Sequence, residues 1–112
     1  MATENLTLCT GFVKATNEIV CAPVSEKEQL TVRFLTFCNT HTGQVVISIH
    51  WTNIQEENIT MVSNMTLDPG DTLVFVDHGD SPINLIQPNE IRAIANTENV
   101  VSFVGFGERT VS

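Results

Sequence analysis

The stretch "LDPGDTLVFVDHGD" (residues 67–80) gathers four carboxylates and an imidazole, Asp68, Asp71, Asp77, Asp80 and His78, around the run "TLVFV". These are side chains that ligate hard cations or relay protons. A calcium loop needs acidic ligands at tight alternate spacing, D-x-[DN]-x-[DN]-G, and that pattern is absent. Turn chemistry accounts for the residues instead. Pro69 presets φ for the first central position of a β-turn, Gly70 accepts positive φ at the second, and Asp68 can cap the turn's amides. Asp77-His78-Gly79-Asp80-Ser81-Pro82 is a second cluster of the same kind. The five residues between the clusters span about 16 Å as a strand, which holds the acidic pairs at opposite ends of it. The expectation is two turns bracketing a strand, with no metal.

The remaining chemistry-bearing residues are dispersed. His41, His50 and His78 show no H-x-H or H-E-x-x-H spacing and no neighbouring carboxylate pattern, so they read as surface or rim histidines. Cys9, Cys21 and Cys38 are odd in number and share no CxxC spacing, and they read as reduced packing residues. No nucleophile elbow, P-loop or G-x-G-x-x-G occurs, and "GFGE" (105–108) reads as a strand end whose small residues avoid crowding. Neither catalytic residues nor a cofactor site are expected, and the protein is not read as an enzyme. A small cupin-like protein binding a metal or ligand through His41, His50 and His78 with an aspartate is an alternative from another class.

Composition narrows the field further. The 112 residues fit one domain able to bury roughly two thirds of its unfolded surface without metal or disulfide staples. Lys and Arg number 5 against 13 Asp and Glu, a net charge of −8, and no basic cluster exists to neutralise phosphates. Nucleic acid is therefore not an expected partner. No run approaches the roughly 18 apolar residues of a membrane span, and "MATENLTLCTG" lacks the regions of a secretory signal, so no membrane is expected and assembly in the cytoplasm is.

The elements that must position these residues are strands. From Leu30 onward apolar and polar residues alternate with period two in short runs separated by turn residues. The clearest run is "QVVISIHWT", with Val45, Ile47, Ile49 and Trp51 on a core face and Gln44, Ser48, His50 and Thr52 opposite with Val46. "LTVRFLTFC" (30–38) precedes it, and the intervening "NTHTG", ending in Gly43, predicts a hairpin between the two. "ITMVSNMTL", "TLVFV", "INLI", "EIRAIA" and "NVVSFVGF" follow, giving seven countable strands, and "VSEKEQL" offers one helical turn at most. The predicted fold is an all-β, single-domain antiparallel β-sandwich, jelly-roll or Ig-like, of about seven to eight strands with an N-terminal arm or edge strand. Residues 1–29 form the arm or edge segment and 30–112 the sandwich.

"HWTN", "LDPGDTLVFVD" and "INLIQPNEIRAIANTENVVSFVGFGE" in this order resemble small β-sandwich virion proteins of tailed bacteriophages, including cyanophage capsid decoration (cement) proteins. That family commonly shows a Trp-Thr strand end, a "pG(D/S)t" turn, a "G/N-(D/E)-x-I-x-A-x-A" strand and a terminal "VVS" strand. The likeness covers about residues 30–106. It implies a structural role on the capsid surface, bridging and stabilising neighbouring subunits of the major capsid protein or another virion protein, as a homo-oligomer with a trimer favoured. A tail or neck component or a fibre adhesion module is the alternative placement. Residues 1–29 lie outside the likeness and carry apolar side chains without a sustained period. They are expected to attach the protein to a neighbour through Leu6, Leu8, Phe12, Ile19 and Val20, or else to form the first strands of the sandwich.

Overall fold

Twelve residues, Glu28–Asn39, form the longest strand, and most of one sheet is built on it. The computed structural model describes residues 2–52, 57–76 and 82–112. In chain order the strands are β1 (Ala2–Phe12), β2 (Glu18–Cys21), β3 (Glu28–Asn39), β4 (Val45–Thr52), β5 (Asn58–Leu67), β6 (Thr72–Val76), β7 (Ile83–Ile86), β8 (Glu90–Ala95) and β9 (Val101–Val111). No helix occurs among the described residues. One sheet has the order β1-β9-β3-β6, with β7 also on β3, and the other the order β2-β8-β4-β5. Every pairing is antiparallel. β6 pairs with Leu35–Cys38 and β7 with Gln29–Val32, so the two lie end to end along one edge of β3 and fill a single strand position. Counted that way, the two orders are those of a jelly roll.

The core is what the period-two reading requires. β4 alternates buried and partly exposed residues, with Val45, Ile47 and Ile49 fully buried and Trp51 packed against the core. β8 does the same with Ile91, Ala93 and Ala95. From the other sheet Leu35 and Phe37 meet them, and Phe75 and Phe103 pack on Phe37 at ring-centroid distances of 6.3 and 6.1 Å. Each such side chain stabilises the sandwich by roughly 1.5–3 kcal/mol.

One expectation is corrected and three are made specific. β3 and β4 are not a hairpin: they belong to different sheets, and "NTHTG" carries the chain from one to the other. Gly43 does not take positive φ, and the Asn39 side chain organises the crossing. Among the described residues the strands number nine, with β1 and β2 preceding the seven countable ones. The "VSEKEQL" segment makes a turn, not a helix: the Glu28 amide donates to the Ser25 carbonyl (3.2 Å), and the Glu28 carboxylate accepts from the Val24 amide (3.2 Å).

Of the two readings of residues 1–29, the fold shows the second: they are the first strands of the sandwich, built into both sheets. β1 pairs with β9 from Ala2↔Val111 to Phe12↔Ser102, and β2 pairs with β8. The Val13 amide donates to Val101 and the Lys14 carbonyl accepts from Ala95, which ties the link between them to both layers. The boundary at residue 29 falls inside β3. The period of β1 was hidden by a bulge: the register shifts between Thr7 and Cys9, so Leu8 is an extra residue and the inward positions change phase across it.

A second bulge lies at the same level on the other side of β9, between Val32 and Phe34 of β3. The two explain "GFGE". A Cβ on Gly107 would stand 1.9 Å from the Thr31 carbonyl oxygen, and one on Gly105 would stand 2.6 Å from Cys9 Sγ. Small residues here do avoid crowding.

Candidate functional site

The acidic stretch resolves into a turn at its described end. The Asp71 amide donates to the Asp68 carbonyl (2.9 Å), and Gly70 has φ of 84° at the second central position, a type II geometry. The capping runs opposite to expectation. The Asp71 carboxylate accepts from the Asp68 amide (3.0 Å), while Asp68 accepts from the Gln44 side chain (2.7 Å). Asp77, His78 and Asp80 lie outside the described residues. His50 Nδ1 meets the Thr60 hydroxyl at 3.2 Å on a partly exposed face. Among the described residues no three His, Cys, Asp or Glu side chains converge on a common point.

Buried polar chemistry instead centres on Asn39, fully buried at the end of β3. Its Nδ2 donates to the carbonyls of Gly43 (3.0 Å) and Leu67 (2.9 Å), and its Oδ1 accepts from the His41 amide (2.8 Å). Its backbone exchanges bonds with Gly70 and Asp71. One side chain thus fastens the β3–β4 crossing to the β5–β6 turn. Nothing in its spacing marked it.

Cys9 and Cys21 come from opposite sheets and hydrogen-bond to one another. The Cys21 thiol as donor holds Cys9 below the ordinary thiol value, with a further bond from the Gly105 backbone, while burial opposes this. Cys21 is pushed well above that value by Cys9 and by burial.

The expected attachment residues are divided by the fold. Val20 is a core residue, which removes it from any contact surface, and Leu8 packs against the core. Leu6 is half-buried in β1. Phe12 and Ile19 are 49% and 50% exposed and share one open cleft of about 560 Å³ at the end of the sandwich. Its cations are engaged: Lys14 donates to Asn99 (2.7 Å), and Arg92 pairs with Glu90 (2.5 Å) and donates to the Asn17 carbonyl (2.9 Å).

The surface with the clearest character is the outer face of the β1-β9-β3-β6 sheet. Register sets its rows. Thr36 lies opposite Val104 on one side and Val74 on the other, with Thr10 beyond Val104. Cys38 lies between Ser102 and Thr72, with Phe12 beyond Ser102. Phe34 and Phe106 are paired, ring centroids 6.0 Å apart, with Thr7 alongside. Val101, Phe103 and Gly105 are buried, so the alternate residues of β9 must face outward. Phe12, Val74 and Phe106 are 49%, 48% and 43% exposed. A depression of about 420 Å³ runs across Thr10, Thr36, Cys38 and Val104.

This sheet carries almost no unbalanced charge. Arg33 pairs with Glu108 and Arg109 with Glu4 (2.6 Å), while Glu28 is buried against the Val24 amide. β6 and β7 contain no ionisable residue. The other sheet is nearly neutral too, with Glu18 and Glu90 against Arg92, and among the described residues further carboxylates, Glu26, Asp68, Asp71 and Glu98, lie in the connections. Among the described residues both sheets are thus nearly neutral, and β5 of the second also exposes Ile59, Met61 and Met65. No protein-family model and no curated protein matches this chain.

Proposed function

We propose that the protein is a non-enzymatic assembly module whose working surface is the neutral outer face of the β1-β9-β3-β6 sheet. The observation that carries this reading is the continuity of the face, on which the register sets Thr10, Val104, Thr36 and Val74 side by side from four segments. Among the described residues, Phe12, Val74 and Phe106 on that face are nearly half exposed, and the Arg33–Glu108 pair on it cancels. Contiguous apolar surface of this kind is costly to leave in water and marks contact with another macromolecule. The setting follows from the sequence resemblance: a virion protein of a tailed phage, decorating the capsid and bridging neighbouring shell subunits. Repeated lattice sites make modest contacts per copy sufficient through multivalency. Phe12 and Ile19, exposed at the end of the sandwich, are the side chains offered to the shell.

Sedimentation tests this setting. Purified protein mixed with purified phage shells lacking it should co-sediment at a fixed ratio to shell subunits and raise the temperature at which the shells come apart. Protein that stays in the supernatant, with shell stability unchanged, would refute the capsid role.

A further inference from the structure

We propose that Cys9 and Cys21 are a redox pair: a peroxide oxidises Cys9, and Cys21 resolves it by closing a disulfide between the two sheets. One connection brings the thiols together. β1 and β2 are end strands of different sheets, joined through residues 13–17. Cys9 lies three residues before the end of β1 and Cys21 three residues after the start of β2, so each strand has run about 10 Å from the link when it reaches its cysteine. The two strands approach within 8 Å, Cα to Cα, closer than the roughly 10 Å between packed sheets. Both side chains turn inward, Cys21 into the core and Cys9 against it. Cys9 Sγ fills the space over Gly105 that a Cβ there would need, and it accepts a hydrogen bond from the Cys21 thiol. Cys38 takes no part, because it faces outward between Ser102 and Thr72.

The two thiols divide the chemistry. A thiolate, not a thiol, attacks peroxide, and Cys9 is the better thiolate, held below the ordinary thiol value by the Cys21 donor and the Gly105 backbone. Its sulfur takes one oxygen from hydrogen peroxide, the O–O bond breaks, hydroxide leaves, and Cys9 becomes a sulfenic acid. The Cys21 sulfur then attacks the Cys9 sulfur. The S–O bond breaks, and the departing hydroxide takes the Cys21 proton as water. Two thiols and one peroxide thus give one disulfide and two waters, with two electrons passing from sulfur to peroxide. The sulfurs need only close from hydrogen-bond contact to the roughly 2 Å of the bond. The product ties the end strands of both sheets together beside the cleft that Phe12 and Ile19 share. A reducing compartment keeps the pair open, and an oxidising one closes it.

Peptide mapping of the full chain provides the test. Reduced protein is treated with hydrogen peroxide, its remaining thiols are alkylated, and it is cut after Lys and Arg. Cleavage at Lys14, Lys27 and Arg33 puts the three cysteines on separate peptides. Peptides 1–14 and 15–27 should emerge joined, with Cys38 alkylated, and dithiothreitol should release them. The oxidised protein should melt about 10 °C higher before dithiothreitol than after it, from the closed loop between the cysteines. In Cys21→Ala the resolving thiol is gone, so Cys9 should instead gain oxygen, as sulfenic and then sulfinic acid. Cys38→Ser should cross-link as the wild type does. Protein oxidised in urea should spread its links over all three cysteine pairs, because only the fold aligns Cys9 with Cys21. Native wild-type protein in which peptides 1–14 and 15–27 stay separate overturns the proposal, whether Cys9 gains oxygen or remains a thiol, and this map decides even if Cys21→Ala fails to fold. Links to Cys38 as abundant as the Cys9–Cys21 link overturn it too, as does a linked protein that melts no higher than the reduced one.

Discussion

Replacing Asn39 with Ala should weaken the fold more than any other single polar truncation in it. Asn39 is fully buried and makes three side-chain hydrogen bonds, of 2.8 to 3.0 Å, to the backbone of residues 41, 43 and 67. The bond to the Leu67 carbonyl is buried, and leaving that oxygen without its donor costs about 1–3 kcal/mol. The bonds to Gly43 and His41 are part-buried, where water can partly replace them, so each contributes about 0.5–1 kcal/mol. The expected loss is about 2–5 kcal/mol, a large share of the 5–15 kcal/mol typical of a domain, or roughly 8–20 °C in Tm. Asn39→Asp adds a sign that can be checked. It keeps the acceptor for His41 but turns a carboxylate oxygen toward two carbonyl oxygens, so burial and repulsion raise its folded-state pKa above the ordinary value. A raised carboxyl pKa contributes stability only while the group is protonated, so the Asp protein should lose stability progressively above about pH 4. Urea denaturation of the three proteins across pH 4–8 measures both effects. An Ala variant within 1 kcal/mol of wild type, or an Asp deficit independent of pH, would show that the backbone bonds to Gly70 and Asp71 hold this corner alone.

Gly107→Ala should destabilise by about 2–3 kcal/mol or more, and Gly105→Ala by less, because the first opposes backbone and the second a movable thiol; paired thermal melts decide the order. At the β5–β6 turn, Asp71→Asn retains an acceptor for the Asp68 amide and should cost under about 1 kcal/mol, while Gly70→Val, strained at φ of 84°, should cost more. Reversal of that order in urea melts would mean that charge, not turn geometry, is what the segment supplies. Alkylation followed by mass spectrometry should label Cys9 before Cys21, with a rate that rises at lower pH than for an ordinary thiol. Cys21→Ala should move that profile upward by removing the donor.

The strands from residue 45 to 95 were legible because each keeps one phase of alternation over its central residues. Val45, Ile47 and Ile49, and likewise Ile91, Ala93 and Ala95, reach the core as the period predicts. β1 was illegible for a local reason: Leu8 is an inserted residue, so Leu6 and Cys9 both turn inward although three positions apart, and no single period fits "NLTLCTGF". The hairpin between β3 and β4 failed for a non-local one. Adjacent strands usually pair, but in a jelly roll the chain crosses between layers at most connections, and here Asn39 fixes the crossing through a carbonyl 28 residues away.

The neutral face was written in the sequence in a form that strand counting passes over. A sandwich sheet wetted on its outer side alternates apolar residues with charged ones. Phe34 to Asn39 of β3 contains no Asp, Glu, Lys or Arg, and neither does Asn99 to Gly107. In "NVVSFVGFG" the positions between the core residues Val101, Phe103 and Gly105 are Ser102, Val104 and Phe106. Such a strand is apolar on both sides, and it belongs either in the middle of a three-layer structure or against another molecule. Within this chain there is no third layer among the described residues. What the sequence alone withheld was the pairing that sets Val74, Thr36, Val104 and Thr10 side by side from four separate segments. Local patterning could mark each strand as having two apolar sides, but only the topology turns those sides into one continuous surface large enough to bind.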